Sequence, residues 1–73
     1  MNDPKIIEAL LRDAPDLMTV DEVAAIMRVN PSTVIRWMRD WKLQGISVGA
    51  RLNRFRKSDV ADFLLRADEE ADD

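Results

Sequence analysis

Apolar residues recur at helical spacing from Thr19 to Trp41, and a short break at Arg28 to Asn30 divides the pattern in two. At about 100° per residue, Val20, Val23, Ala24 and Met27 share one stripe, the i, i+3, i+4, i+7 arrangement of a core-facing helix. Thr19 and Glu22 form a capping box in which each side chain accepts from a backbone N–H at the open helix start, for about 1 kcal/mol. This predicts a helix from Val20 whose stripe ends at Met27. Asn30 then Pro31 predicts a second start, because Asn caps the free N–H groups and Pro has no N–H to lose at the first helical position. In that second helix Val34, Trp37, Met38 and Trp41 share the core side. Ser32, Arg36 and Arg39 lie opposite, with Thr33, Ile35 and Asp40 on the flanks.

The remaining chain supplies a frame for this pair. Asn2-Asp3-Pro4 predicts a helix to about Arg12, with Ile6, Ala9 and Leu10 on one side and Ile7 and Leu11 on the adjoining one, an arc wide enough to brace the domain. Asp13 to Asp16, with Pro15, breaks it. Met18, just before the cap, is expected to close over Val23 as a hydrophobic staple. Beyond Trp41, Ile46-Ser47-Val48 alternates like a half-buried strand. Gly49 to Asn53 reads as a turn, and Arg54-Phe55-Arg56 as the returning strand with Phe55 inward and both arginines outward. A two-stranded hairpin alone is marginal, so it is expected to lean on the helices through Ile46, Val48 and Phe55. Ser58 and Asp59 open a last helix with Val60, Phe63, Leu64 and Ala67 as its core stripe. Leu65 lies off that stripe, toward the N-terminal helix or a partner. Asp68 to Asp73 is acidic and poor in apolar residues, and is expected to be a disordered, solubilising tail.

Two short amphipathic helices across so tight a turn read as a helix-turn-helix, the motif whose second helix enters the DNA major groove. The hairpin adds a wing, so the expected fold class is mainly α with a small β-hairpin, a winged helix-turn-helix. Its expected divisions are an N-terminal arm (1–16), the DNA-binding domain (17–67) and the acidic tail (68–73).

Composition narrows the chemistry. Seventy-three residues make one small domain. With no cysteine and no histidine, disulfides, thiolate or imidazole metal sites and the usual nucleophile–base pairs are excluded. No enzyme, metal or cofactor is expected. Neither a signal pattern nor a long apolar run is present, which predicts a cytosolic protein. The net charge of −3 looks wrong for a nucleic-acid binder until it is resolved along the chain. Residues 1–22 carry −4, residues 23–57 carry +7 and residues 58–73 carry −6. Phosphate responds to local potential within a Debye length of about 8 Å, so the central block can attract DNA despite the acidic ends.

Leu17-Met18-Thr19, Glu22-Val23-Ala24, Arg28-Val29-Asn30-Pro31, Thr33-Val34, Arg36-Trp37, Lys42-Leu43, Arg54-Phe55-Arg56 and Asp59-Val60 together make the chain similar to the MerR-like winged helix-turn-helix family. That family includes phage and plasmid excisionases and small BldC-type regulators. Many relatives carry Gly where Arg28 stands, although BldC-type members are similar to this chain there. The dimerisation helix and effector domain of full-length MerR regulators have no counterpart in these residues. The resemblance implies that Ser32, Thr33, Arg36 and Arg39 face the major groove or its flanking phosphates. It likewise places Arg51 and Arg54, on the wing, at the adjacent minor groove or backbone, with Lys57 adding a phosphate contact. Arginine's planar donor fork suits guanine edges and phosphates, and a basic wing tip suits a narrow A·T-rich minor groove. The function so implied is that of an excisionase binding repeated sites on double-stranded DNA, self-associating head to tail, bending the duplex and assisting an integrase. A BldC-like transcriptional regulator is the alternative, and a protein-interaction module engaging a recombinase or polymerase is the alternative from another class.

Overall fold

The computed structural model describes residues 1–49 and 52–70. In chain order its elements are α1 (Pro4–Leu11), β1 (Leu17–Thr19), α2 (Val20–Met27), α3 (Pro31–Arg39), β2 (Ile46–Ser47), β3 (Asn53–Arg56) and α4 (Lys57–Arg66). A 3₁₀ turn, Ala67–Glu70, closes the described chain. The helix starts follow from their caps. Asp3 accepts from the Lys5 N–H, with Pro4 in the first position of α1. At α2 the capping box is complete, the Thr19 N–H donating to Glu22 at 2.8 Å and the Glu22 N–H to the Thr19 hydroxyl oxygen at 3.1 Å. Asn30 caps α3, with Pro31 following.

The turn between α2 and α3 is tight because Arg28 adopts left-handed backbone, φ 57°. Its neighbour Val29 returns an N–H to the Ala24 carbonyl at 3.0 Å. Glycine is the usual occupant of such a position, since it has no Cβ to crowd the following carbonyl.

Where the sequence suggests two strands, the sheet has three, antiparallel, in the order β1-β3-β2. Met18 stands opposite Phe55, and both are fully buried. Thr19 and Ile46 flank Arg54 from either side, so with Leu17 and Arg56 they form the sheet's outer face. The core beneath the inner face joins Met18 and Phe55 to Val23, Val34, Leu43 and Val60, with Ile7, Leu11 and Ala24 at its edge. Met18 thus shares a core with Val23, as the staple requires, but its principal partner is a strand far along the chain.

The N-terminal segment satisfies both ends of α4. The Lys57 N–H donates to the Asp16 carbonyl at 2.9 Å, while Asn2 donates through its backbone to Leu65 and through its side chain to Leu64. Orphan groups at helix ends are costly when buried, so this strapping holds α1 against α4. Leu65, half-buried, borders α1 as the pattern suggests.

Several expectations are corrected. Helix α3 ends at Arg39, and Trp41 lies outside it, 92% exposed and left-handed at φ 63°, so it is not a core residue. Its place is taken by Leu43, which the reversed chain direction carries inward. Ile46 and Val48 are 41% and 46% exposed, so the hairpin rests on the helices through Phe55 alone of the three residues expected. Ile6 and Leu10 are likewise exposed, while Ile7 and Leu11 pack inward. Helix α4 begins one residue before Ser58, at Lys57, with Arg56 in the cap position and no side-chain cap. Residues 68–70 belong to the closing 3₁₀ turn rather than to a disordered tail. Residues 71–73 of the expected tail lie outside the described residues. No helix among the described residues is long and apolar enough to cross a membrane.

Candidate nucleic-acid interface

Helix α3 lies against α2 through Val34, which is completely buried, and against α4 through Trp37, whose ring sits 4.9 Å from that of Phe63 at 42°. These two anchors fix the helix's rotation. Because they face inward, Ser32, Arg36 and Arg39 all emerge on the exposed side, as their spacing predicts. Among the described residues neither Arg36 nor Arg39 is engaged by a carboxylate. Two guanidinium forks on one face of a short helix are therefore free to meet guanine edges or phosphates.

Ser32 has a more specific chemistry. Its hydroxyl donates to Asn30 Oδ1 at 2.8 Å, and its N–H reaches the same oxygen at 2.9 Å. The proton is thus committed, and the hydroxyl oxygen is left as an acceptor, suited to a base amino group rather than to a phosphate. Thr33 is half-buried beside it, its N–H held by the Asn30 carbonyl at 2.9 Å.

The wing residues divide. Arg54 sits on the central strand, half-buried, with one guanidinium nitrogen 2.9 Å from the Asn53 carbonyl. Arg51 lies outside the described residues. Arg56 points outward as expected, yet its Nε and Nη2 both donate to the Asp59 carboxylate, at 2.7 and 3.0 Å. That hydrogen-bonded pairing, with the carboxylate's charge, raises the already high Arg56 pKa further. Arg56 therefore contributes less free positive charge than a count of basic residues suggests. Lys57 is half-buried on the α1 side, its Nζ 3.5 Å from the Arg12 carbonyl. Ser32, Arg36 and Arg39 are brought together on α3, Arg54 lies on the sheet, and Lys57 stands apart.

One exposed residue in this region departs from the sequence pattern: Trp41, just past α3. Periodicity assigns it to the core, and only the left-handed turn at the helix end, which a tryptophan gives no reason to expect, turns it outward.

Two short helices packed across a tight turn, a second helix with a free basic face, and a strand hairpin beside it define a helix-turn-helix DNA-binding protein. The family model for the helix-turn-helix domain matches residues 17–68, most of the chain. The chain belongs to that family of excisionase-like small DNA-binding domains. No curated protein and no solved structure matches it.

Proposed function

We propose that the protein is an architectural DNA-binding factor of the excisionase kind. Helix α3 enters the major groove through Ser32, Thr33, Arg36 and Arg39, and the hairpin follows the adjacent minor groove or backbone through Arg51 and Arg54. Lys57 serves as an outlying phosphate contact. Copies bind repeated sites, bend the duplex and assist an integrase. The observation that carries this reading is the unopposed Arg36 and Arg39 face on a helix whose rotation is fixed by Val34 and Trp37. One module reads few base pairs, so specificity comes from repeats. A BldC-like regulatory role is the second reading, favoured by Arg28 at a position where many relatives carry Gly.

The test is a mobility-shift titration on candidate attachment-site DNA with the native chain and Arg36→Ala. Loss of one bidentate base contact is expected to weaken specific binding by about 1–3 kcal/mol, leaving the circular dichroism unchanged. Equal affinities for the two proteins would refute the assignment of α3. Circular-permutation mobility on the same site then measures bending, and a straight duplex would count against the architectural role.

A further inference from the structure

Among the described residues only Arg28 and Trp41, glycine aside, are left-handed, one just before α3 and one just after it. Trp41 borders Lys42 and Arg66 as well as Asp59 and Asp62, so nothing in its surroundings selects a partner. Arg28 is different. Its N–H donates to the Ala25 carbonyl at 3.3 Å and the Val29 N–H to that of Ala24 at 3.0 Å, so a chain that has changed its hand satisfies the end of α2. Val29 is then drawn toward the core, and Asn30 becomes the cap of α3. The backbone at Arg28 is fixed from both sides, and glycine is the residue that meets it without crowding a Cβ against the neighbouring carbonyl. An arginine there strains the turn.

No contact within the molecule accounts for that side chain. Arg28 is exposed, and among the described residues its guanidinium makes no hydrogen bond and has no carboxylate within ion-pair distance. A positive charge suits the C-terminal end of α2, but the turn's own N–H groups already bond the Ala24 and Ala25 carbonyls there. Strain without an internal partner points outward. In a helix-turn-helix the second helix offers its N-terminal residues to base edges while the first crosses the backbone, so the turn between them meets the phosphates along the groove wall. Arg28 stands in that turn, two residues before the cap of α3. Its guanidinium has the donor fork for a phosphate and a long arm to reach it.

We propose that Arg28 is a phosphate anchor, a DNA-binding residue outside both the α3 face and the wing, held at a cost to the stability of the turn. It grips the backbone beside the N-terminal end of α3 and so sets the register in which Ser32 and Thr33 meet the bases, while reading no base itself. The proposal rests on the DNA-binding reading of α3. It adds a residue whose replacement by glycine moves stability and binding in opposite directions.

The experiment compares the native chain with Arg28→Gly, Arg28→Lys and Arg36→Ala, by thermal melting and by anisotropy titration of a labelled candidate-site duplex and a random-sequence duplex. Arg28→Gly relieves the strain, and its melting temperature is expected to rise by about 2–6 °C. Loss of one phosphate contact lowers the salt slope by about 0.9, so the ratio of native to variant affinity is expected to shrink roughly threefold between about 50 and 200 mM salt. The loss is expected on both duplexes alike, because a phosphate carries no sequence. Arg28→Lys keeps the charge and is expected to keep the slope. Native affinity and slope in Arg28→Gly would overturn the anchor, while a weakened Arg36→Ala would leave the reading of α3 in place. A loss confined to the candidate site would make Arg28 a reader of bases, and an equal loss of slope in Arg28→Lys would make the effect one of shape; either overturns the anchor. A melting temperature that does not rise in Arg28→Gly would overturn the cost to stability. If the native chain binds neither duplex, the DNA reading itself falls and the anchor falls with it.

Discussion

Gly45→Ala probes how the hairpin is seated on α3. A Cβ built at Gly45 would lie 2.6 Å from the Met38 sulfur and 2.9 Å from Cε1 of Phe55, where ordinary carbon contacts lie near about 3.5–4.0 Å. The Met38 side chain is flexible and can yield, but the Phe55 ring is fully enclosed on the central strand. Overpacking of this kind costs about 1–3 kcal/mol. Replacing glycine also restricts the unfolded chain, which returns roughly 0.4–1 kcal/mol. The net expectation is a loss of about 1–2 kcal/mol. In a domain of this size that lowers the melting temperature by about 5–15 °C, readable from far-ultraviolet circular dichroism. Adding Met38→Ala makes room for the new methyl, so the double variant should lose less than the two single losses combined. A melting temperature at or above that of the native chain would show that the loop does not rest on Met38 and Phe55, and the placement of the hairpin against α3 would fail with it.

Thr19→Ala removes the capping oxygen from Glu22 and should cost about 1 kcal/mol by chemical denaturation, with no change in DNA contacts; an unaltered midpoint would contradict the capping box. Trp37→Ala, which strips the ring packed on Phe63, should cost about 3 kcal/mol, and native-like melting would show that the ring contact contributes little. Deleting residues 68–73 removes five acidic side chains, and binding to one labelled site should tighten several-fold at low salt, with the gain fading as ionic strength rises. A gain that persists in high salt, or no gain at all, would remove charge repulsion as the tail's effect.

Local chemistry made the two central helices legible. Thr19 with Glu22, and Asn30 with Pro31, mark starts that depend only on neighbouring residues, and the structure places both helices there. Burial of Phe55 and exposure of Ser32, Arg36 and Arg39 followed from periodicity in the same way. What was hidden depends on distant partners. Leu17-Met18-Thr19 is too short to show alternation, and its pairing with β3 is set by residues far along the chain. Trp41 misled because periodicity assumes that the helix continues, whereas a left-handed turn after Asp40 reverses the inside and outside positions and gives the core to Leu43. The ion pair that occupies Arg56 was equally out of reach, since it depends on where α4 begins.

The pairing of β1 with β3 bears on how the chain acquires its shape. Met18 and Phe55 are 37 residues apart, and closing a loop of that length costs about 3 kcal/mol of chain entropy before any contact offsets it. During synthesis β1 leaves the ribosome long before its partner exists, so the helix pair emerges without Phe55, Leu43 and Val60 beneath it. A peptide spanning only residues 17 to 41 would lack the same three side chains. Helix α3 is therefore not expected to be an autonomous module to be excised or grafted; it is expected to become ordered only when the last third of the chain supplies its core partners, in a single late folding event.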